Sequence, residues 1–273
     1  MVGQMGFNLA YFRALNQSKW MGKPIELLDT VGSTNTFLKD RLAGGQVQSG
    51  AVVFAEHQLA GRGRLGRRWV APAASSLLVS VLLRPKIPLH HATWLTMIAG
   101  LAVSEAVEQV VGISLSLKWP NDLMLQNKVG AWCKTGGILL EAETAGDGLT
   151  YAIIGMGLNV NIATQELPQA VTPATSLQAA TGRMIERELL LARWLMALER
   201  LLEAAELGHS PQPAWNQQLI TIGQWVTVSG AVQVEGDAVG TDDFGRLLVR
   251  DTTGIIHPIV AGDVTLRASK DNN

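Results

Sequence analysis

Three glycines and four arginines fall within one segment, residues 58–68, which has the sequence Gln-Leu-Ala-Gly-Arg-Gly-Arg-Leu-Gly-Arg-Arg. Glycine lets a backbone bend closely around a ligand, and the arginine guanidinium is a planar, permanently charged donor suited to phosphate and carboxylate. Holding so many like charges together costs free energy when no anion is bound. The segment therefore predicts a loop that closes over an anionic ligand. The alternative is a solvated basic loop.

The glycines of this segment have the GxGxxG spacing found in dinucleotide-binding folds. That motif must follow a strand and open a long helix, with an acidic residue about twenty positions further on. The apolar run 51–55 precedes the glycines as a strand would, but Pro72 and the serines after it predict a loop. Residues 82–85, at the distance where the acidic residue is needed, contain no carboxylate. We therefore exclude a dinucleotide site of this type.

The composition is that of a folded protein of 273 residues, with 47% hydrophobic and 16% charged residues. A net charge of −1 gives no basis for bulk electrostatic binding to nucleic acid or membranes. Cys133 is the single cysteine, so no internal disulfide can form and a reducing cytoplasm is expected. The N-terminus lacks signal-peptide features, and the apolar stretch 94–103 is too short to span a bilayer. The sequence predicts a cytoplasmic protein without DNA or membrane partners.

Apolar periodicity predicts two amphipathic helices, at 94–110 and 186–207. Short runs rich in strand formers predict strands without a regular βαβ repeat. These runs are 51–55, 77–83, 115–119, 122–126, 137–142 and 151–158. After about Thr221, closely spaced short strands and turns predict a small five-stranded or SH3-like barrel. We therefore expect two domains, 1–220 and 221–273.

A lysine and an aspartate lie four residues apart in Lys118-Trp119-Pro120-Asn121-Asp122, at the end of an apolar strand. An ammonium suits phosphate and a carboxylate suits a hard cation, so this turn could hold a nucleotide triphosphate and its magnesium. The alternative is an ordinary surface turn, because Pro-Asn-Asp is common turn chemistry.

Two further segments pair glycines with polar residues at strand ends. Lys134 lies just before Gly136-Gly137, and residues 155–161 combine two glycines with alternating asparagines. Each could approach a ligand closely, but each alone is a weak signal. The sequence contains no P-loop, no HExxH or comparable zinc pattern and no GxSxG nucleophile elbow.

Taken in order, these segments closely resemble the biotin protein ligases. The matching segments are 32–35, 55–69, 118–122, Lys134 with 136–139, 155–159, 254–258 and 262–267. The resemblance spans residues 26–267. It implies an α+β fold of the biotinyl/lipoyl-transferase type, with a mixed central sheet and flanking helices, followed by the small SH3-like β-barrel.

The resemblance implies a two-step reaction. The carboxylate of biotin attacks the α-phosphate of ATP, which gives biotinyl-5′-AMP and pyrophosphate, and a lysine of a carrier protein then attacks the mixed anhydride. The expected partner is the biotin carrier domain of acetyl-CoA carboxylase or a related carboxylase. ATP, biotin and Mg²⁺ are expected as substrates and activator, with no tightly bound prosthetic group.

Site residues also follow from the resemblance, by motif position. Those implied to line the biotin site are Ser33, Thr34, Asn35, Gln58, Arg62, Gly63, Arg64 and Lys134. Those implied to bind the nucleotide are Arg67, Trp69, Lys118, Asn121 and Asn159. Those implied to be catalytic are Arg64, Lys134 and Asp122. Asp122 is also the expected magnesium ligand, and we hypothesise that it accepts the proton of the incoming lysine.

The chain departs from the family pattern in three places. Residues 1–25 are too few for the N-terminal winged helix-turn-helix that some members carry, so DNA binding is expected to be absent. A long interval, 126–133, precedes the lysine; Lys128 could mimic the motif, but we favour Lys134, which lies directly before the Gly-Gly-Ile-Leu run. The segment 163–181, where relatives have a loop over the adenylate, contains no aromatic residue.

Two other functions stay open at this point. Lipoate–protein ligase shares the fold and chemistry, but the arginine segment and the C-terminal barrel favour biotin. A non-catalytic binder or regulator could also keep the fold, but binding alone would not need both Arg64 and Lys134 at the reacting centre. The oligomeric state is not fixed by the sequence, and a homodimer is compatible with it.

Overall fold

The computed structural model describes residues 6–45, 47–127, 129–146, 148–168, 172–230 and 233–267. The helices are α1 Leu9–Leu15, α2 Thr34–Ala43, α3 Trp94–Val111, α4 Leu177–Thr181, α5 Arg187–Glu206 and α6 Gln212–Gln218. The first seven strands are β1 Ile25–Val31, β2 Val52–Gln58, β3 Ser76–Leu83, β4 Ser116–Lys118, β5 Asp122–Gln126, β6 Trp132–Ala145 and β7 Gly148–Asn159. Five more follow: β8 Trp225–Ser229, β9 Val234–Thr241, β10 Leu247–Arg250, β11 Ile256–Ile259 and β12 Asp263–Arg267.

The first seven strands form one mixed sheet in the order β1-β2-β3-β7-β6-β5-β4. Strands β1 and β2 are parallel because α2 crosses between them, and each remaining neighbouring pair is antiparallel. The predicted mixed central sheet with flanking helices is therefore confirmed.

Helices cover both faces of this sheet. On one face α3 and α5 pack together over buried side chains of the central strands, such as Val79 and Ile154. On the other face α2 packs against the sheet through Leu38, which joins Val53 and Leu82 in a second buried cluster. The face covered by α2 is the one that carries the candidate site.

Helix α3 is longer than its apolar stretch suggested. The segment Leu89–Val111, which includes the apolar stretch 94–103, is long and apolar enough to cross a membrane by length and composition. Its most apolar window is 72% buried inside the fold, as is typical of the core helix of a soluble protein.

A buried ion pair ties α5 to the C-terminal end of β2. Arg187 Nη1 lies 2.6 Å from Glu56 Oε2, and the arginine side chain is only 4% exposed. Breaking a buried pair by removing one partner typically costs about 3–5 kcal/mol. Because Glu56 lies two residues before Gln58 on β2, the pair fixes the strand end from which the arginine loop departs.

The C-terminal strands form a separate five-stranded sheet in the order β11-β10-β9-β8-β12, in which all pairs are antiparallel. This agrees with the predicted small all-β domain and is consistent with its SH3-like type. Its turn at 243–245 anchors it to the large sheet domain. Backbone carbonyls of this turn accept hydrogen bonds from Thr93 Oγ1 (2.7 Å), Trp94 Nε1 (2.8 Å) and Trp119 Nε1 (3.0 Å).

Candidate functional site

A cluster of uncharged polar side chains, joined by hydrogen bonds, lies at the N-terminus of α2. Gln58 Oε1 accepts hydrogen bonds from the Thr34 backbone N–H (2.8 Å) and hydroxyl (3.2 Å). Ser80 Oγ lies 2.7 Å from Thr34 Oγ1 and 2.5 Å from Asn35 Oδ1. Ser33, Thr34 and Asn35 are all buried, so this cluster lies in the interior of the fold. We name Thr34, Asn35, Gln58 and Ser80 the polar pocket.

Glu141 on β6 connects this pocket to the arginine segment. Its Oε2 accepts a hydrogen bond from Asn35 Nδ2 (2.6 Å) and lies 3.0 Å from Arg62 Nη2. Sequence reasoning missed Glu141 and Ser80. The available signal was a polar residue on a strand with buried neighbours, which shows that a partner exists but not which one.

The arginine segment forms a closed loop, 61–69, held by its own backbone. Gly63 N–H donates to the Arg67 carbonyl (2.7 Å), and Trp69 N–H donates to the Gly61 carbonyl (2.9 Å). The cations of this loop have partners elsewhere in the fold. Arg67 pairs with Asp263 of the C-terminal domain, and Arg64 Nη1 lies 3.4 Å from Asn121 Oδ1. Glu141 and Asp263 therefore offset part of the like-charge repulsion expected from the sequence.

Lys134 and Asp122 form an ion pair across β5 and β6, with Nζ 2.5 Å from Oδ1. Lys118 is the strand partner of Asp122 on β4. Burial lowers the pKa of Lys118, while the carboxylates of Asp122 and Asp263 counter that shift. Burial likewise lowers the pKa of Arg64, opposed by Asp263 and Asp122. We name Arg64, Arg67, Lys118 and Lys134 the cation cluster. Arg64 and Lys118 are partly desolvated, and positive charges in such surroundings can stabilise an anion strongly.

Strands β5 and β6 pair as a hairpin, with Gln126 opposite Trp132. Asn127 Oδ1 accepts hydrogen bonds from the backbone N–H groups of Val129 (3.1 Å) and Ala131 (2.9 Å), so β6 begins at Trp132. Lys134 thus lies within β6, facing Asp122. The alternative residue, Lys128, lies outside the described residues.

Two buried polar atoms near Lys134 have no hydrogen-bond partner within the described part of the chain. They are Trp69 Nε1, a donor, and Asn159 Oδ1, an acceptor. Asn159 Nδ2 donates to the Thr175 carbonyl (3.0 Å), and the Thr175 N–H donates to the Lys134 carbonyl (2.9 Å). The segment after residue 172 therefore lies beside Lys134, and the two unpaired atoms suit a ligand with its own donors and acceptors.

Glycines on one face of β6 and β7 join the polar pocket to the cation cluster. Gly137 pairs with Gly157. Gly155 lies two residues before Gly157 on β7 and therefore on the same face of the sheet. A Cβ on Gly157 would lie 2.7 Å from Trp69 Cε2, and one on Gly155 would overlap the Asn35 amide. At Gly155 and Gly157 the missing side chains therefore leave room for Asn35 and Trp69, whereas a Cβ on Gly137 would lie no closer than 3.6 Å to its neighbours.

The structure thus brings the sequence-predicted residues together in one elongated site. Residues predicted for biotin alone lie at one end: Ser33, Thr34, Asn35, Gln58 and Arg62. The other end holds the charged residues and one amide: Arg64, Arg67, Lys118, Asn121, Asp122 and Lys134. The remaining residues are Gly63 and Trp69 on the arginine loop and Asn159 on β7. Asp263 was missed because it comes from the other domain. No group of three or more His, Cys, Asp or Glu side chains that could hold a metal occurs among the described residues.

Known proteins resemble this chain in sequence and in fold. Residues 27–159 match the profile of the Biotin/lipoate A/B protein ligase family, and residues 221–267 match the Biotin protein ligase C terminal domain. The bifunctional ligase/repressor BirA of Bacillus spizizenii is 34% identical over 252 residues, which are 90% of this chain and 75% of that protein. Biotin--[acetyl-CoA-carboxylase] ligase of Mycobacterium tuberculosis is 33% identical over 249 residues, 89% of this chain and 88% of that one.

A solved structure agrees with the sequence relatives. The biotin protein ligase from Aquifex aeolicus in complex with biotin and ATP superposes with a TM-score of 0.75 at 32% identity. The superposition covers 90% of this chain and 100% of that chain.

Proposed function

The chain belongs to the biotin protein ligase family, and from this premise we propose that it activates biotin with ATP and then transfers the biotinyl group to a carrier lysine. Biotin and ATP give biotinyl-5′-AMP and pyrophosphate, and the biotinyl group then passes to a lysine of a biotin carrier domain. The observation that carries the proposal is the elongated site, in which an uncharged polar pocket leads to a cation cluster. Biotin has the matching polarity, with a neutral ureido ring at one end and a carboxylate at the other.

The first step brings two anions together. A carboxylate oxygen of biotin attacks the α-phosphorus, and the bond from that phosphorus to the bridging oxygen breaks to release pyrophosphate. We assign Arg64 and Lys134 to the biotin carboxylate and α-phosphate. Because both side chains are already held by Asn121 and Asp122, little reorganisation is needed as charge develops.

The nucleotide would lie along the rest of the cation cluster. We assign Lys118, Asn121 and Arg67 to its phosphates, and Trp69 and Asn159 to the adenylate through their unpaired buried atoms. Magnesium commonly binds through one or two carboxylates together with substrate phosphates. Asp122 fits that pattern as a single protein ligand, and the ion would neutralise phosphate charge.

The second step is aminolysis of the mixed anhydride. The carrier lysine nitrogen bonds to the acyl carbon of biotin, AMP leaves with the electrons of the cleaved C–O bond, and the amine loses a proton. We assign that proton to Asp122, whose carboxylate lies beside Lys134 at the reacting centre.

Biotin is favoured over lipoate by the C-terminal domain. The match at residues 27–159 names both ligases, whereas the match at 221–267 names the biotin enzyme alone. In this chain the C-terminal domain also contributes Asp263 to the arginine loop. The second domain is therefore part of the proposed site.

The partner is a biotin carrier domain, and we propose the one from acetyl-CoA carboxylase, which the name of the mycobacterial relative specifies. The domain boundary at 220, the lack of DNA and membrane partners and the cytoplasmic location stay predictions from the sequence, and the oligomeric state stays open.

Carrier biotinylation is the test of this function. The protein is mixed with biotin, ATP, Mg²⁺ and the carrier domain, and the carrier mass is measured. We expect one added biotinyl group that requires ATP, with no transfer when lipoate replaces biotin. Transfer of lipoate at a comparable rate, or no acyl transfer and no ATP–pyrophosphate exchange, would refute the proposal.

A further inference from the structure

Glu141 has contacts that the reaction as assigned does not use. It lies on β6 beside the polar pocket, and its contacts are to Asn35 and Arg62 rather than to the Lys134–Asp122 pair. Its side chain is 32% exposed, so its charge is partly desolvated and needs partners. It has two: the Asn35 amide, bonded through Oε2 at 2.6 Å, and the Arg62 guanidinium, which is within 3.1 Å of both carboxylate oxygens.

The two partners differ in how firmly the rest of the fold holds them. Asn35 is 3% exposed and its Oδ1 is already fixed by Ser80 at 2.5 Å. Arg62 has a side chain that is 46% exposed, on a loop that the backbone closes on itself. A long arginine side chain loses much rotamer freedom when it is fixed. Arg62 is therefore the partner whose position depends on Glu141.

We propose that Glu141 is a positioning residue that holds Arg62 over the polar pocket and thereby strengthens biotin binding. This inference rests on the proposed function, in which Arg62 lines the biotin site. Because Glu141 orders Arg62 before the ligand arrives, less conformational entropy is lost on binding. Glu141 acts through Arg62 and takes no part in phosphate chemistry, so its effect falls on the affinity for biotin and leaves the nucleotide step unchanged.

The test is a double-mutant cycle on biotin affinity, measured by titration calorimetry in the absence of ATP. Glu141→Gln keeps an oxygen acceptor for Asn35 but removes the charge that holds Arg62. We expect it to weaken biotin binding roughly threefold to tenfold, since the pair is partly exposed. In an Arg62→Ala background the same substitution should have no further effect. The KM for ATP should be unchanged in Glu141→Gln.

Glu143→Gln is the matched control. Glu143 lies two residues along the same strand and accepts a hydrogen bond from the Tyr151 hydroxyl (2.6 Å), away from the loop. This variant should bind biotin like the unmodified protein. Thermal unfolding of each variant shows whether the fold is kept, and Arg62→Ala, on the exposed loop, breaks the same pair without touching the sheet.

The outcomes separate the inference from the proposed function. Unaltered biotin affinity in Glu141→Gln, or an equal loss with and without Arg62, would overturn the positioning role while leaving the ligase proposal intact. If the unmodified protein did not bind biotin, the proposed function would fail and the inference with it. A loss in Glu143→Gln equal to that in Glu141→Gln would also overturn it, because strand charge in general would then be responsible.

Discussion

Charge is balanced residue by residue in this site. Lys134 faces Asp122, Arg62 faces Glu141 and Arg67 faces Asp263, so each carboxylate holds one cation in place. Positively charged groups remain in excess near the reacting centre, where Lys118 and Arg64 are partly desolvated. A site of this kind binds phosphate favourably, because the anion offsets the repulsion among these cations and the desolvation of Lys118 and Arg64.

The free-energy cost of burying the charged Lys118 side chain should appear in the pH dependence of the free energy of unfolding. Burial lowers its folded pKa below the unfolded value, so the unfolded chain binds the proton more tightly between those two pKa values. Stability due to Lys118 therefore rises with pH in that window, which ends near the ordinary lysine pKa of about 10.4. Urea unfolding at about pH 7 and about pH 10 should show the unmodified protein gaining stability relative to Lys118→Met. A constant difference between the two proteins would contradict this.

Asp122→Asn should separate the two chemical steps. The amide keeps the size of the carboxylate but cannot accept the proton of the carrier lysine. Transfer from preformed biotinyl-5′-AMP should fall by about a hundredfold, the usual scale for loss of a general base. Pyrophosphate exchange should also fall, because Asp122 is the assigned magnesium ligand and holds Lys134, but the loss should be smaller than the loss of transfer from the preformed adenylate. Equal losses in the two assays would argue against the base role.

At the level of elements, β6 and β7 form the floor of the site through their glycines. Gly155→Ala would displace Asn35 and should raise the KM for biotin about tenfold, whereas Gly157→Ala would displace Trp69 and should raise the KM for ATP by a similar factor. Each variant serves as the control for the other in steady-state kinetics. If both substitutions raised the same KM, Gly155 and Gly157 would not lie beneath separate binding sites for biotin and ATP.

The elements that the sequence predicted are those with strong apolar patterns. The predicted strands at 77–83 and 122–126 and the helices at 94–110 and 186–207 match β3, β5, α3 and α5 closely. Strand β1 was missed because it is a half-buried edge strand, and α2 was missed because few of its side chains are apolar. α6 was missed because it is short and begins among prolines.

The site was predictable where residues are adjacent in sequence. The segments 58–68 and 118–122 and the position of Lys134 were found from type and spacing. Ser80, Glu141 and Asp263 were not, because their importance lies in contacts with residues far away along the chain. Only the fold shows which distant carboxylate meets which arginine.

For the whole molecule, the C-terminal domain is docked so that it completes the arginine loop. Hydrogen bonds from Thr93, Trp94 and Trp119 hold its 243–245 turn, and Asp263 at the start of β12 then reaches Arg67. A domain without an assigned substrate thus controls the position of a cation in the site.

Asp263→Ala should therefore weaken the nucleotide step. Release of Arg67 is expected to raise the KM for ATP about threefold to fivefold, a modest effect because the pair is largely exposed. The KM for biotin should not change. Asp251→Ala is the control, since Asp251 belongs to the same domain but pairs with His257 (2.6 Å). An unchanged or lower KM for ATP in Asp263→Ala would show that Asp263 does not position Arg67.

The central claim is that Lys134 and the arginine loop bring the carboxylate of biotin to the α-phosphate of ATP. Exchange of labelled pyrophosphate into ATP measures that step without any carrier protein. We predict exchange that requires biotin, is not supported by lipoate, and falls at least about a hundredfold in Lys134→Gln. Exchange that is independent of biotin, or that is undiminished in Lys134→Gln, would contradict the account.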